Sequence, residues 1–162
     1  MLVVVGGHSR NTGKTSEAAG LIRKLRDRRW TAVKITQYGH GVCSQAGKSC
    51  GCEAGTDAER SFWLRTPAGE LARAGATLRK LLAQSEHVIV ESNSVMELVR
   101  PYVFLMLLDF SCGDFKPSSL RFMDRADAFV VIDRGIDARG MWDRKPPRYV
   151  TAEVARLVRE RL

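Results

Sequence analysis

The chain has 162 residues, of which 26 are basic and 18 acidic, so its formal net charge is +8 at pH 7. Hydrophobic residues make up 44% and charged residues 27% of the chain, a balance that excludes a disordered protein and suits one globular domain. No apolar run is long enough to span a bilayer, and no basic leader precedes the first strand, so we expect a cytoplasmic protein without a membrane partner.

The chain begins with a predicted strand at 2–5, and a helix is predicted from about Lys14 to Arg28. The strand is a continuous apolar run, Leu2-Val3-Val4-Val5, which is typical of a strand buried on both faces. In the helix, apolar residues recur at the spacing of one buried face: Ala18, Leu21, Ile22 and Leu25. A second strand is predicted at 31–36.

The loop between the first strand and the first helix, Gly7 to Thr15, has the features of a phosphate-binding loop. It follows a strand and leads into a helix, which is the context that a phosphate-binding loop requires. The alternative is a plain turn that opens a helix. Backbone N–H groups and the positive end of the helix would surround phosphate oxygens, while Lys14 would neutralise the outer phosphates and Thr15 would ligate Mg²⁺. We expect these residues to bind the nucleotide: Gly7, Asn11, Thr12, Gly13, Lys14, Thr15 and Ser16.

The spacing within this loop is unusual. Five residues separate Gly7 from Gly13, whereas the common motif has four. His8 therefore stands where the common motif has its first glycine. We expect the His8 side chain to point at solvent, and a contact with a phosphate or an acceptor is the alternative.

A polar, glycine-rich segment at about 38–55 follows the second strand, and we interpret it as an insertion in a single domain that spans 1–162. It holds four soft metal ligands within thirteen residues: His40, Cys43, Cys50 and Cys52. Thiolates and an imidazole at this spacing suit Zn²⁺. The alternative is an exposed polar loop whose cysteines are redox-active or incidental.

The rest of the chain alternates between strands and helices. A short aromatic run at 61–64 predicts a third strand, and Thr66-Pro67 has the form of a helix cap followed by a first-turn proline. Apolar strands are predicted at 87–91, 102–108 and 128–132, with helices at about 71–82, 118–125 and 151–161. This alternation indicates a mainly parallel sheet covered on both faces, which is a three-layer α/β/α fold.

Acidic residues end the last three predicted strands, at Glu91, Asp109 and Asp133. Ligands of parallel sheets bind beyond the carboxyl ends of the strands, where the phosphate loop also lies. Because Mg²⁺ prefers oxygen ligands, we predict that Thr15, Glu91 and Asp57 hold it. Glu91 has the alternative of capping a helix or pairing with an arginine, and Asp57 the alternative of capping a helix.

In this order, the motifs resemble the P-loop NTPase branch that contains dethiobiotin synthetase, the cobyrinic acid amidating enzymes and the molybdopterin-guanine dinucleotide biosynthesis protein B. The long loop is similar to that of dethiobiotin synthetase. Val33-Lys34-Ile35, Thr56-Asp57-Ala58 and Val90-Glu91 match the family's strand-ending lysine, its magnesium aspartate and its strand-ending glutamate. The resemblance implies catalytic roles for Lys14, Lys34 and Glu91, and a homodimer.

We therefore predict an ATP- or GTP-binding, Mg²⁺-dependent P-loop NTPase that acts in or assists cofactor biosynthesis, as an NTP hydrolase or an NTP-dependent ligase or phosphotransferase. Its other partner would be a small-molecule acceptor or a partner enzyme. The alternative is a nucleotide-regulated metal- or cofactor-binding accessory protein with little turnover. The basic residues lie on predicted helix faces without an aromatic stacking platform or a DNA-reading motif, which disfavours nucleic acid as a partner.

Overall fold

The computed structural model describes residues 1–38, 58–132 and 152–161. Within them the strands are β1 (Leu2–Gly7), β2 (Trp30–Tyr38), β3 (Arg60–Pro67), β4 (His87–Glu91), β5 (Val103–Leu108) and β6 (Ala128–Val131). The helices are α1 (Lys14–Lys24), α2 (Ala72–Gln84), α3 (Pro117–Phe122) and α4 (Ala152–Arg161). Two short 3-10 turns, Ser94–Glu97 and Met123–Arg125, complete the described elements.

The described strands form one sheet in the order β3-β2-β4-β1-β5-β6, and each neighbouring pair is parallel. β1 lies inside the sheet, where Val4 pairs with Val90 of β4 and with Phe104 of β5. All three of these residues are fully buried. The continuous apolar runs of the sequence are therefore explained by a sheet that is covered on both faces.

Two hydrophobic cores lie on opposite faces of this sheet. Alternate residues of β1 serve each core, because successive side chains of a strand point to opposite faces. Leu2 and Val4 pack in the core that α2 covers, and Val3 and Val5 pack in the core that α1 covers. Helices α3 and α4 add residues to the first and second core, respectively. The predicted three-layer α/β/α fold with a parallel sheet is confirmed.

The register of the sheet brings two predicted site residues side by side. Lys34 of β2 pairs with Glu91 of β4, and Val5 of β1 pairs with Glu91 on the other side. Ile89 faces the core under α1, so the two-residue period of the strand places Glu91 on that same face. The side chains of Lys34 and Glu91 therefore meet beside the first turn of α1.

Among the predicted boundaries that differ in the structure, the end of β3 and the end of α1 have clear physical reasons. Thr66 and Pro67 do not cap a helix, because both belong to β3, where they pair with Gln37 and Tyr38 of β2. Proline is tolerated there because it ends an edge strand. Helix α2 begins only at Ala72.

Helix α1 ends at Lys24 instead of continuing to Arg28. Beyond its end, the indole N–H of Trp30 donates a hydrogen bond to the carbonyl of Leu25 at 3.0 Å, and Trp30 is buried. The start of β2 thus supplies a partner for a carbonyl at the end of α1, where helix carbonyls lack partners within the helix.

Five predicted metal ligands, His40, Cys43, Cys50, Cys52 and Asp57, lie outside the described residues, and their roles stay predictions. Within 1–38, 58–132 and 152–161, no three His, Cys, Asp or Glu side chains gather in a group that could hold a metal ion. Among the helices in those ranges, none has the length and apolar character needed to cross a membrane.

One carboxyl group is buried in α1. The side chain of Glu17 is fully buried, and neither of its carboxyl oxygens has a hydrogen-bond partner among the described residues. Burial raises the pKa of Glu17 to about 8, because the charged form cannot be solvated there. The folded protein therefore holds this proton more tightly than the unfolded chain does.

From this shift we expect a pH-dependent stability. The contribution of protonated Glu17 is complete below the unfolded pKa near 4.5 and is lost as pH rises toward 8. Replacing Glu17 with glutamine should raise the free energy of unfolding by roughly 2 to 4 kcal/mol at pH 8 and by much less at pH 5, measured by urea denaturation. Glu160→Gln, an exposed change on α4, is the control. If the free energy of unfolding of wild type and of Glu17→Gln changed with pH in parallel, the raised pKa of Glu17 would be contradicted.

Candidate functional site

The loop between β1 and α1 contains two residues in left-handed conformations. Asn11 has φ 58° and Gly13 has φ 83°. This region favours glycine and tolerates asparagine, so the sequence Asn11-Thr12-Gly13 suits a tight turn here. The carbonyl of Gly13 then accepts the N–H of Glu17 at 2.9 Å, which starts α1 directly after the turn. Local sequence therefore determines how the loop enters the helix.

The start of the loop is held by Asn93, a residue that the sequence analysis missed. The N–H of Gly7 donates to the Asn93 side-chain oxygen at 2.8 Å, and the Asn93 amide donates to the Gly7 carbonyl at 2.8 Å. Asn93 is buried and lies two residues after Glu91. Its position just beyond an adjacent strand end was the only signal in the sequence, and that signal does not reveal which backbone group it binds.

Side chains cannot be added at the beginning of the loop. A Cβ on Gly6 would lie 2.5 Å from the Asn93 side-chain oxygen and 2.7 Å from a ring carbon of Phe104. A Cβ on Gly7 would collide with the Thr12 hydroxyl. Both glycines are thus explained by close packing around the strand end.

Lys14 folds back over the loop. Its Nζ donates to the carbonyl of Ser9 at 3.2 Å and to the hydroxyl of Thr12 at 3.4 Å. Burial lowers the pKa of Lys14 to about 8, with further lowering from the charges of Lys116 and Lys34, while Glu91 opposes the shift. A cation whose solvation is this incomplete gains strongly from an anionic ligand.

Thr15, Lys34 and Glu91 meet at the first turn of α1. The Thr15 hydroxyl donates to Glu91 Oε2 at 2.6 Å, and Lys34 Nζ lies 3.3 Å from Glu91 Oε1. Lys34 Nζ also donates to the Thr15 hydroxyl at 3.2 Å. The three residues come from α1, β2 and β4, and the structure brings them together as the sequence analysis expected.

The oxygens of this group fit a magnesium ion. Neighbouring ligand oxygens of Mg²⁺ are about 3 Å apart in octahedral geometry, and the hydroxyl of Thr15 already contacts the carboxylate of Glu91. Mg²⁺ typically takes one or two protein carboxylates and completes its shell with water and substrate phosphates. Thr15 and Glu91 would therefore suffice as protein ligands, and Asp57 is outside the described residues.

His8 has a different role from the one that its position suggests. Its side chain is buried, not exposed to solvent as we expected. The ring Nδ1 accepts the N–H of Asp109 at 3.2 Å, and Nε2 lies 2.9 Å from the carbonyl of Cys112. With a proton on Nε2 the ring can make both bonds, accepting at Nδ1 and donating to Cys112. The ring of Phe115 packs against the His8 ring, with 4.6 Å between the ring centroids.

Asp109 supports the turn that His8 binds. Its carboxylate accepts the N–H of Ser111 at 3.0 Å and the hydroxyl of Ser111 at 2.5 Å. The N–H of Cys112 also bonds to the Asp109 carbonyl at 3.0 Å. These contacts give Asp109 a structural role in the loop after β5.

Two further predicted residues of the loop are placed differently from each other. Thr12 is buried, and its hydroxyl accepts from Lys14. Ser16 is exposed on the first turn of α1. Both lie within two residues of Lys14 or Thr15, and their contacts with a nucleotide stay predictions.

A small cleft of about 40 Å³ lies beside the Thr15, Lys34 and Glu91 group. Its other lining residues come from α1, β2, β3 and β4, and most of its wall is apolar: Ala18, Ala32, Val33, Ser61, Phe62, Trp63 and Ile89. The indole N–H of Trp63 donates to the Thr36 hydroxyl at 2.9 Å, which fixes the ring. The cleft thus joins a polar group to an apolar surface.

Comparison with known proteins addresses the fold. No protein-family model and no curated protein matches the chain. Its structure is similar to a crystal structure of LpxK from Aquifex aeolicus in complex with ATP, with 21% identity and a TM-score of 0.52. The match covers 90% of this chain and 52% of LpxK, so the chain spans about half the length of that protein. The likeness supports the α/β fold and does not single out the dethiobiotin synthetase branch.

Proposed function

We propose that the chain binds a nucleoside triphosphate with Mg²⁺ at the Gly7–Thr15 loop and transfers or hydrolyses its terminal phosphoryl group. The observation that carries this proposal is the contact of Thr15, Lys34 and Glu91 beside Lys14. A hydroxyl, two cations and a carboxylate at the end of a parallel sheet match the needs of phosphoryl transfer, which are positioning and charge stabilisation. The fold similarity to a protein solved with ATP supports it.

Each residue of the group would have a distinct task. Lys14 would neutralise the outer phosphate oxygens from inside the loop, and Lys34 would stabilise charge on the transferred phosphoryl group or on its acceptor. Thr15 and Glu91 would hold the magnesium ion, which supplies neutralisation of phosphate charge when bound. Because Lys34 contacts both Thr15 and Glu91, it lies close enough to act on the same phosphate.

The apolar cleft is our proposed site for the acceptor. It begins at Lys34 and Glu91 and continues along Ala32, Trp63 and Ile89. Small-molecule sites combine apolar walls with a few polar groups that fix orientation, and the residues of this cleft offer both kinds of surface. We therefore propose an acceptor whose polar reacting end contacts Lys34 and Glu91 and whose apolar part packs on the cleft wall.

Cofactor biosynthesis is our proposed context for this activity, and it rests on the resemblance of the motifs. The accessory-protein alternative depends on the segment with His40, Cys43, Cys50 and Cys52, which is outside the described residues.

The proposal is tested by titrating the protein with ATP and GTP, with and without Mg²⁺, in wild type and in Glu91→Gln. We expect Mg²⁺ to tighten binding about tenfold in wild type and to have little effect in Glu91→Gln, which loses a charged metal ligand. Glu97→Gln is the control, because Glu97 is an exposed glutamate in the 3-10 turn that follows β4. This variant should keep the effect of Mg²⁺ on nucleotide binding. Equal Mg²⁺ dependence in wild type and Glu91→Gln would remove Glu91 from the metal site, and absence of nucleotide binding by wild type would end the proposal.

A further inference from the structure

The segment after β5 is attached directly to the phosphate loop. The N–H of Lys116 and the hydroxyl of Ser119 both donate to the carbonyl of His8, each at 2.8 Å. The ring of His8 in turn bonds to the carbonyl of Cys112. The backbone of Lys116 is therefore attached to the phosphate loop at His8.

The side chain of Lys116 lies within electrostatic reach of the site. Its charge lowers the pKa of Lys14, and its own pKa is lowered by burial and by Arg10. Glu91 and Asp114 act in the opposite direction on Lys116. Lys116 is thus coupled to both a phosphate-binding residue and a metal-binding residue of the proposed site.

Among the described residues, Glu91 and Asp114 are the acidic groups that favour the charged form of Lys116. Lys116 precedes the first residue of α3 and makes no side-chain cap to that helix. A positive charge beside the N-terminus of a helix is unfavourable, because that end is already positive. An external anion, in contrast, would be attracted by Lys116, Lys14 and Arg10 together.

We propose that Lys116 is a further phosphate-binding residue, whose ammonium group contacts the outer phosphates of a nucleoside triphosphate together with Lys14. The inference rests on the proposed function and extends its site to the segment after β5. His8 is then a positioning residue, because its carbonyl and ring fix the backbone that carries Lys116. The long loop thereby gains a second cation from outside its own sequence.

Inorganic tripolyphosphate is the probe for this proposal, titrated calorimetrically with Mg²⁺ at constant ionic strength. We expect Lys116→Gln to weaken its binding about tenfold, the usual effect of one charge-assisted hydrogen bond. Lys116→Arg keeps the charge and should bind within about threefold of wild type. Lys80→Gln, an exposed lysine on α2, is the matched control and should bind like wild type.

The midpoint of urea unfolding checks that Lys116→Gln folds correctly. It should equal that of wild type, because the bonds from the backbone N–H of residue 116 and from Ser119 to His8 are retained. Binding of tripolyphosphate by Lys116→Gln within twofold of wild type would overturn the inference. So would equal weakening by Lys80→Gln, which would reveal a general effect of net charge, or a Lys116→Arg protein as weak as Lys116→Gln. If wild type itself fails to bind tripolyphosphate, the inference is overturned, whereas the proposed function is decided separately by the titrations with ATP and GTP.

Discussion

Replacing Lys14 with alanine is expected to weaken the binding of ATP and GTP about a hundredfold. Its buried ammonium group has a pKa lowered to about 8, and it bonds only to neutral oxygens of Ser9 and Thr12 in the contacts that the structure describes for it. Charge-assisted hydrogen bonds to phosphate are each worth about 1.5 to 3 kcal/mol, and about 1.4 kcal/mol corresponds to a factor of ten. Nucleotide titration by calorimetry measures the loss.

Lys24→Ala is the matched control for this prediction. Lys24 lies in the last turn of the same helix and is exposed, so its removal changes the net charge equally without touching the loop. We expect Lys24→Ala to bind nucleotides like wild type. If Lys14→Ala bound ATP and GTP as tightly as wild type, the Gly7–Thr15 loop would not be a nucleotide site.

Replacing Asn93 with alanine should destabilise the protein by about 2 to 4 kcal/mol, because it leaves the N–H and the carbonyl of Gly7 without their buried partner, at about 1 to 3 kcal/mol per group. The midpoint of urea unfolding measures this change. Nucleotide affinity should fall as well, since the amide of Asn93 fixes the peptide at which the phosphate loop begins.

Asn93→Asp sharpens this test. Aspartate can still accept the N–H of Gly7, but its second oxygen would face the Gly7 carbonyl, so we expect a loss of stability at least as large as for alanine. Gln84→Ala removes an exposed amide from α2 and should change the free energy of unfolding by less than about 0.5 kcal/mol. A similarly small change for Asn93→Ala would show that the amide does not hold the loop.

The sequence predicted most of the framework because that framework depends on local patterns. Runs such as Leu2-Val3-Val4-Val5 are typical of strands buried on both faces, and the spacing of Ala18, Leu21 and Leu25 fits one helix face. Its errors occurred where a local pattern had two outcomes. Thr66-Pro67 matches both a helix start and the end of an edge strand, and pairing with β2 decided for the strand.

The candidate site was predicted in the same way, through residue types at strand ends. Gly13, Lys14 and Thr15 follow from the motif, and Lys34 and Glu91 follow from the rule that ligands bind at the carboxyl ends of parallel strands. The sequence could not supply the strand order. Only the placement of β4 between β2 and β1 makes Lys34 and Glu91 neighbours at 3.3 Å.

The sequence by itself determined the α/β fold, because periodicity carries that information. It predicted the phosphate loop with Lys14 and Thr15 from a contiguous motif, and Lys34 and Glu91 from strand ends and a family resemblance. The tertiary structure alone shows the contacts of Asn93 and of the His8 ring, and the attachment of the Lys116 backbone to the loop. These residues act through backbone groups that are distant in the chain, as when Asn93 binds Gly7 and Lys116 binds His8. Such contacts depend on how strands and loops are arranged in space, and no local spacing in the sequence records that arrangement.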